Sequence, residues 1–156
     1  MKLINKDNLS QEDMKILLEQ YKFYVEISDR ISQRRMNTNT FFISVNTLLL
    51  TIASSLKNVT LSEVVFIGIL GCILSFVWNL NLNSYIQLNS GKYRVIHEIE
   101  NLLPLSLYAY EWDILGKGKE KNKYWKLSCV EKFVPTIFCI IYIIFTVNCI
   151  MNICIS

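Results

Sequence analysis

Apolar residues fall into three blocks separated by polar, charged stretches, and the first block organises the chain. From Met36 to Leu56 the sequence MNTNTFFISVNTLLLTIASSL contains no charged residue. At a helical rise of ~1.5 Å per residue it would reach about 30 Å, the thickness of a bilayer's hydrocarbon core. Residues 36–56 are therefore expected to form a first transmembrane helix. Asn37, Thr40, Ser44, Thr47, Thr51 and Ser54 recur at alternating steps of three and four, which puts them on one face. Phe41, Phe42, Val45, Leu48, Leu49 and Ile52 cover the opposite arc. Such a span has one side for lipid and another for protein or water.

The second block, residues 64–82, follows a short polar turn at 57–63, so the first two spans should form an antiparallel hairpin. Gly68, Gly71, Ser75 and Asn79 share a face there, and small residues at that spacing let helices approach closely in lipid. Trp78 is expected at the membrane interface. The third block, 133–155, is a third span, with Pro135 in its first turn.

Both hairpin helices should continue beyond the membrane. Residues 1–9 read as an unstructured lead, and Ser10 with Asp13 as a capping box. Leu17, Tyr21, Tyr24, Ser28 and Ile31 then repeat at four-three spacing, the seam of a helical bundle. Leu17, Tyr21, Tyr24 and Ile31 offer more apolar surface than one hairpin covers, which points to an oligomer seam. No Gly or Pro separates this helix from the first span. On the second helix Tyr85, Leu88, Lys92, Val95, Ile96, Ile99 and Leu103 carry the helical pattern on to Pro104. The two projections leave the membrane on the same side and would pack as a stalk. Leu105–Leu115 is a short amphipathic piece, followed by the basic loop GKGKEKNKYWK.

Charge sets the orientation. Lys22, Arg30, Arg34 and Arg35 precede the first span, eight basic residues lie between Lys92 and Lys132, and the hairpin turn has Lys57 alone. The positive-inside rule places the N-terminus in the cytoplasm and the C-terminus outside. The partition is then an N-terminal cytoplasmic helix (1–35), a first span (36–56), an extracytoplasmic turn (57–63), a second span (64–82), a cytoplasmic helical segment with its basic loop (83–132) and a third span (133–155). The expected fold class is an all-α membrane protein with three transmembrane helices, the first two extended into a cytoplasmic stalk. The polar opening thirty-five residues leave no room for a cleavable signal, so the first span should direct insertion.

Composition excludes more than it identifies. Hydrophobic residues make up 52% and charged ones 19%, and a chain of 156 residues is too short for a large soluble catalytic domain beside the spans. A net charge of +3 gives no reason to expect nucleic acid. The basic loop lacks the spacing of a phosphate-binding P-loop and suits anionic lipid headgroups instead. His97 and Glu98 are followed at 101 by Asn101, so no HExxH zinc motif exists. His97 is the only histidine, leaving a nucleophilic triad without a base. Glu111 and Asp113 are two apart and point away from each other on a helix. No enzyme activity and no cofactor or metal are expected. Cys72, Cys129, Cys139, Cys149 and Cys154 form no CxxC pair and read as small hydrophobes. Asn58-Val59-Thr60 matches a glycosylation acceptor by chance.

Two further groups stand out. Arg30, Arg34 and Arg35 sit just cytoplasmic of the first span, where they would anchor to lipid. Arg34 or Arg35 is also expected to pair with Glu98 or Glu100 on the second helix. Asn39 and Asn46 project away from the hydroxyl stripe and suggest a second protein contact face, which favours an oligomer. The stripe itself, Asn37 to Ser54, is either a packing seam or the lining of a water-filled pore.

YKFYVEISDRISQRRMNTNTFF (Tyr21–Phe42), SYIQLNSGKYRVIHEIENLLP (Ser84–Pro104), YEWDILGKGKE (Tyr110–Glu120) and VEKFVPTIF (Val130–Phe138) resemble the RipA family of octameric bacterial membrane proteins. Tyr21, Tyr24, Arg30, Arg34, Arg35, Asn39, Phe42 and Asn46 carry the likeness in the first helix. Tyr85, Leu88, Asn89, Lys92, Glu98, Pro104, Glu111, Trp112, Glu131 and Pro135 carry it further on. The resemblance implies a homo-octamer of the bacterial inner membrane without a catalytic site. The long-helix hairpin also resembles in plan the SLATT effectors of bacterial conflict systems, proposed pore formers, although a third span departs from their two. The expected function is a ring that conducts through or perturbs the membrane, as a stress or defence effector. The alternative is a non-conducting scaffold whose cytoplasmic helices recruit a partner protein.

Overall fold

A computed structural model describes residues 3, 8–55, 60–120, 122–124 and 126–155. Leu56, Lys57, Asn58 and Val59 of the turn, Lys121 and Trp125 of the basic loop and the side chain of Cys154 lie outside the described residues. All regular structure among the described residues is helical: α1 (Gln11–Ser55), α2 (Leu61–Glu100), α3 (Leu107–Ile114), a 3-10 turn (Gly116–Gly118) and α4 (Leu127–Ile155).

The helix starts follow local chemistry. Ser10 and Asp13 form the expected box: the Ser10 N–H donates to the Asp13 carboxylate at 2.8 Å, and the Asp13 N–H to the Ser10 hydroxyl at 3.2 Å. Thr60 and Glu63 repeat the device at 2.8 and 3.4 Å, which is why α2 begins at Leu61 rather than at Val64. α1 then runs unbroken to Ser55, as the absence of Gly and Pro implies. α4 starts at Leu127, ahead of Phe133, so Pro135 lies inside the helix and not in its first turn. A proline there leaves the Glu131 carbonyl without its usual helical donor, a defect apolar helices tolerate when neighbours bury it. Pro135 is fully buried.

Among the described residues two helices, rather than the three expected, are long and apolar enough to cross a membrane: α2, and α4 over Leu127–Ile153. The described part of the first block, residues 36–55, is not among them; its Asn, Ser and Thr residues lower its apolar content.

The chain divides into two units, one of Met1–Arg34 with Tyr85–Lys126, the other of Arg35–Ser84 with Leu127–Ser156. The second unit centres on Trp78. Its indole stacks on Phe42 with ring centroids 5.7 Å apart and planes 5° from parallel, and Phe138 of α4 closes on it at 5.9 Å. Trp78 is only 1% exposed, so it is a core residue and not the interfacial aromatic expected. An indole N–H in apolar surroundings needs an acceptor, and Asn39 Oδ1 provides it at 2.9 Å. The face of α1 bearing Asn39, Phe42 and Asn46 is thus the one turned into this unit.

The small residues of α2 meet α4. A Cβ added at Gly68 would overlap the Thr146 hydroxyl, and one added at Gly71 would enter the Tyr142 ring. Tyr142 lies across Gly71 and donates its hydroxyl to the Asn46 carbonyl at 3.0 Å, joining α4 to α1. Ser75, also buried, turns its hydroxyl back on the Gly71 carbonyl at 2.9 Å. We expect Gly71→Leu to destabilise the purified protein by about 1–3 kcal/mol, the usual cost of overpacking. Gly91 has open space around it and supplies the control. A thermal melt in detergent should fall for Gly71→Leu and hold or rise for Gly91→Ala.

Candidate functional site

In the first unit the organising group is Glu100, the last residue of α2, whose side chain is completely buried. Three donors converge on its carboxylate: the Tyr21 hydroxyl at 2.9 Å, the Tyr108 N–H at 2.8 Å and the Ala109 N–H at 3.0 Å. The first amides of any helix lack intrahelical partners. Ser106 stands at the cap position of α3 but makes no side-chain cap bond, so the carboxylate from α2 takes that role. Burial, reinforced by the Glu100 hydrogen bond and charge, pushes the Tyr21 phenol well above its ordinary range. Burial also raises Tyr108, with Asp29, Tyr93, Glu111 and Glu100 adding to it.

The seam of α1 is used within this unit. Ile31 is buried and Leu17, Tyr21 and Tyr24 are half-buried. The Lys92 ammonium sits 4.5 Å from the centre of the Tyr24 ring, and the Ser28 hydroxyl donates to Asn89 Oδ1 at 3.3 Å. Arg30 bonds Glu26 one turn back at 2.8 Å, and Glu98 and Arg34 are exposed. The basic loop starts with three residues of positive φ, Gly116, Lys117 and Gly118. Gly118 leaves room for Lys126, whose ammonium lies 5.4 Å from the Trp112 ring centre. Lys117 and Lys123 pair with Asp113 and Glu120 at 3.1 and 2.7 Å, so part of the loop's charge is answered locally.

In the second unit the expected pairing of Arg35 with Glu98 or Glu100 gives way to another. Arg35 Nε lies 3.4 Å from Glu131 of α4, and the Arg35 guanidinium donates to the Ser128 hydroxyl at 3.4 Å. Both ion-pair side chains are nearly buried, at 12% and 13% exposure. Glu100 is unavailable because the α3 amides and Tyr21 already hold it. Removing one partner of such a pair typically costs 3–5 kcal/mol, because it strands the other charge.

Asn37, Thr40, Ser44, Thr47, Thr51 and Ser54 are all exposed. Four of the hydroxyls donate to their own helix: Thr40 to the Met36 carbonyl at 3.1 Å, Ser44 to Thr40 at 2.9 Å, Thr51 to Thr47 at 2.8 Å and Ser54 to Thr51 at 2.9 Å. With each proton spent on the backbone, these groups show oxygen lone pairs outward. Thr47, Thr51 and Ser54, with Leu50 of α1 and Ile141 and Phe145 of α4, border an open groove of about 360 Å³. The face with Asn39 and Asn46, expected to meet another protein, is instead filled within the chain. Trp78 donates to the Asn39 side chain, and the fully buried Asn46 donates to the Phe42 carbonyl at 2.8 Å.

Glu131 and Tyr142 were not singled out by pattern alone. The signal was present in both: Glu131 is the last acid before α4 becomes uniformly apolar, and Tyr142 is the one phenol inside that apolar run. Among the described residues no three His, Cys, Asp or Glu side chains gather to hold a metal.

Glu100→Ala should leave two part-buried amides without an acceptor and destabilise the first unit by roughly 1–3 kcal/mol, read as faster hydrogen exchange in α3. Tyr21 predicts an alkaline effect. A phenol whose pKa is raised by folding stabilises the native state fully below the unfolded value of about 10, and that contribution fades as pH climbs above it. Limited proteolysis of wild-type protein should accelerate above that pH, and Tyr21→Phe should blunt the rise.

Comparison with known proteins rests on one match. No curated protein and no solved structure matches the chain. The profile of the octameric membrane protein family (8xMP) matches residues 18–151, from the α1 seam through most of α4. This agrees with the octameric resemblance, while the narrower RipA label is not part of the match. On a match covering most of its length, the chain belongs to the octameric membrane protein family.

Proposed function

We propose that the protein assembles as a homo-octamer in the bacterial cytoplasmic membrane, with the hydroxyl face of α1 lining a path for water and small ions. In this reading residues 36–56 join α2 and α4 as a third crossing helix. They need not be strongly apolar, because the Asn39 side chain accepts from Trp78 and the Asn46 amide donates to the Phe42 carbonyl inside the second unit, while their stripe faces water. The basic residues before the first span and between the other two put the N-terminus and the first unit in the cytoplasm and the C-terminus outside. The protein works without a catalytic centre or cofactor; its partners are further copies, membrane lipid and a cytoplasmic protein that signals through the helices of the first unit. A stress or defence role rests on the likeness to conflict-system effectors.

One observation carries the reading. All six stripe residues are exposed in the single chain, while the α1 face bearing Asn39, Phe42 and Asn46 is filled by Trp78, Phe138 and Tyr142; Phe41, Leu48 and Ile52 are exposed too and would meet lipid. The outward lone pairs of Thr40, Ser44, Thr51 and Ser54 are acceptors, which favours water and cations over anions. The groove favours a second reading, a non-conducting scaffold. Its walls of Leu50, Ile141 and Phe145 would seat a neighbouring copy's helix and make the stripe a seam.

Replacing Thr47 and Thr51 together by Leu separates the two. A path would dry, so liposome permeability should fall while the octamer persists on size exclusion. A seam would be overpacked by about 1–3 kcal/mol per site, so the octamer itself should weaken. Liposomes that never conduct, with an intact wild-type ring, would sink the path and leave the scaffold.

A further inference from the structure

Two thiols meet between α2 and α4. Cys139 Sγ lies 3.8 Å from Cys72 Sγ, across 67 residues of sequence. Cys72 follows Gly71, the residue against which the Tyr142 ring rests, and Cys139 lies one turn before Tyr142. Both thiols are free and half-buried. The Gly71–Tyr142 and Gly68–Thr146 contacts on one side of it and the Trp78–Phe138 ring contact on the other hold it in register.

We propose that Cys72 and Cys139 are a dithiol site that neutral, membrane-permeant two-electron oxidants, of the hypohalous acid class, close into a disulfide joining α2 to α4. Among the described residues no acidic or imidazole group joins the two sulfurs to complete a metal site, so a redox role suits the pair better than a metal. Their apolar setting excludes charged oxidants such as glutathione disulfide and admits small neutral ones. In the first step one thiol sulfur attacks the chlorine of hypochlorous acid. An S–Cl bond forms, the O–Cl bond breaks, and the thiol proton leaves with hydroxide as water. In the second step the other sulfur displaces chloride. The S–S bond forms, the S–Cl bond breaks, and the second proton departs with chloride as HCl. The two sulfurs together lose two electrons, which the chlorine takes up in becoming chloride.

The geometry decides between linkage and further oxidation. A disulfide requires the sulfurs to close by roughly 1.7 Å, a distance within side-chain rotation. Neighbouring reactants held in position act at effective concentrations of about 10⁵–10⁸ M. No external oxidant approaches that, so ring closure precedes the climb to sulfinic or sulfonic acid. Cys129 is exposed and Cys149 half-buried, and neither is recorded in contact with another sulfur. The site is independent of whether the ring conducts.

The test uses the full-length protein in its own membranes, treated with graded hypochlorite. Remaining thiols are alkylated and the chain is cut with trypsin in the basic loop, between the two cysteines. The fragments carrying Cys72 and Cys139 should stay joined without reductant and separate with dithiothreitol, and mass spectrometry should place the bond at these two residues. The joined product should be lost completely in Cys72→Ser and in Cys139→Ser, and kept when Cys129, Cys149 and Cys154 are all Ser. Should a variant fail to accumulate, bond mapping in the wild-type chain decides alone. A bond between two chains, a bond to any other cysteine, sulfonic acid at Cys72 without linkage, or thiols still reduced in excess oxidant would each overturn the proposal.

Discussion

The second unit depends on a single polar bond in apolar surroundings, from the Trp78 indole N–H to the Asn39 side chain. Lipid is as apolar as leucine, so burying Trp78 brings little hydrophobic gain in a membrane; the association must come from contact and from satisfied polar groups. The bond fixes the rotation of α1 against α2, which stacks Phe42 on the indole and turns Asn46 inward. The same rotation directs Thr40, Ser44, Thr47 and Thr51 outward. Tyr142 then ties α4 to α1 through the Asn46 carbonyl, and it fits only because Gly71 has no side chain.

The first unit solves a different problem. A short helix such as α3 has eight residues and no fully buried side chain, so packing alone would hold it weakly. Glu100 supplies the missing restraint by capping its first amides from the end of α2, with Tyr21 of α1 as a third donor. Three segments are thereby held by one carboxylate, with its charge distributed over the donors and the helix dipole. Glu100 is therefore a fold anchor and is not free for lipid or arginine.

For a member of an octameric membrane protein family these arrangements divide the labour of the faces. The Asn39, Trp78 and Tyr142 side chains and the amide N–H of Asn46 find partners inside one chain. On the open stripe of α1, Thr40, Ser44, Thr51 and Ser54 are self-satisfied: hydroxyls bonded to their own helix can meet lipid, water or another copy at little cost. Such a surface suits an assembly whose subunits insert before they associate. The groove beside Ile141 and Phe145 gives that surface a definite shape.

The helical plan was legible from the sequence because it depends on local patterns. Apolar blocks, the Ser10–Asp13 box and the absence of Gly and Pro through α1 act within a few residues, and the long unbroken helix follows from them. The small-residue face of α2 was legible too, although not the partner it meets. Tertiary structure decided what lies opposite each face. Trp78 looks interfacial until Phe42, Asn39 and Phe138 enclose it. Arg35 could have matched several acids by charge, and its choice of Glu131 depends on where α4 begins, ahead of Pro135. The Cys72–Cys139 contact leaves no local trace at all. Periodicity states which side chains share a face of one helix; the rotation and depth at which two helices meet come from contacts distant in sequence, which no single-helix pattern contains.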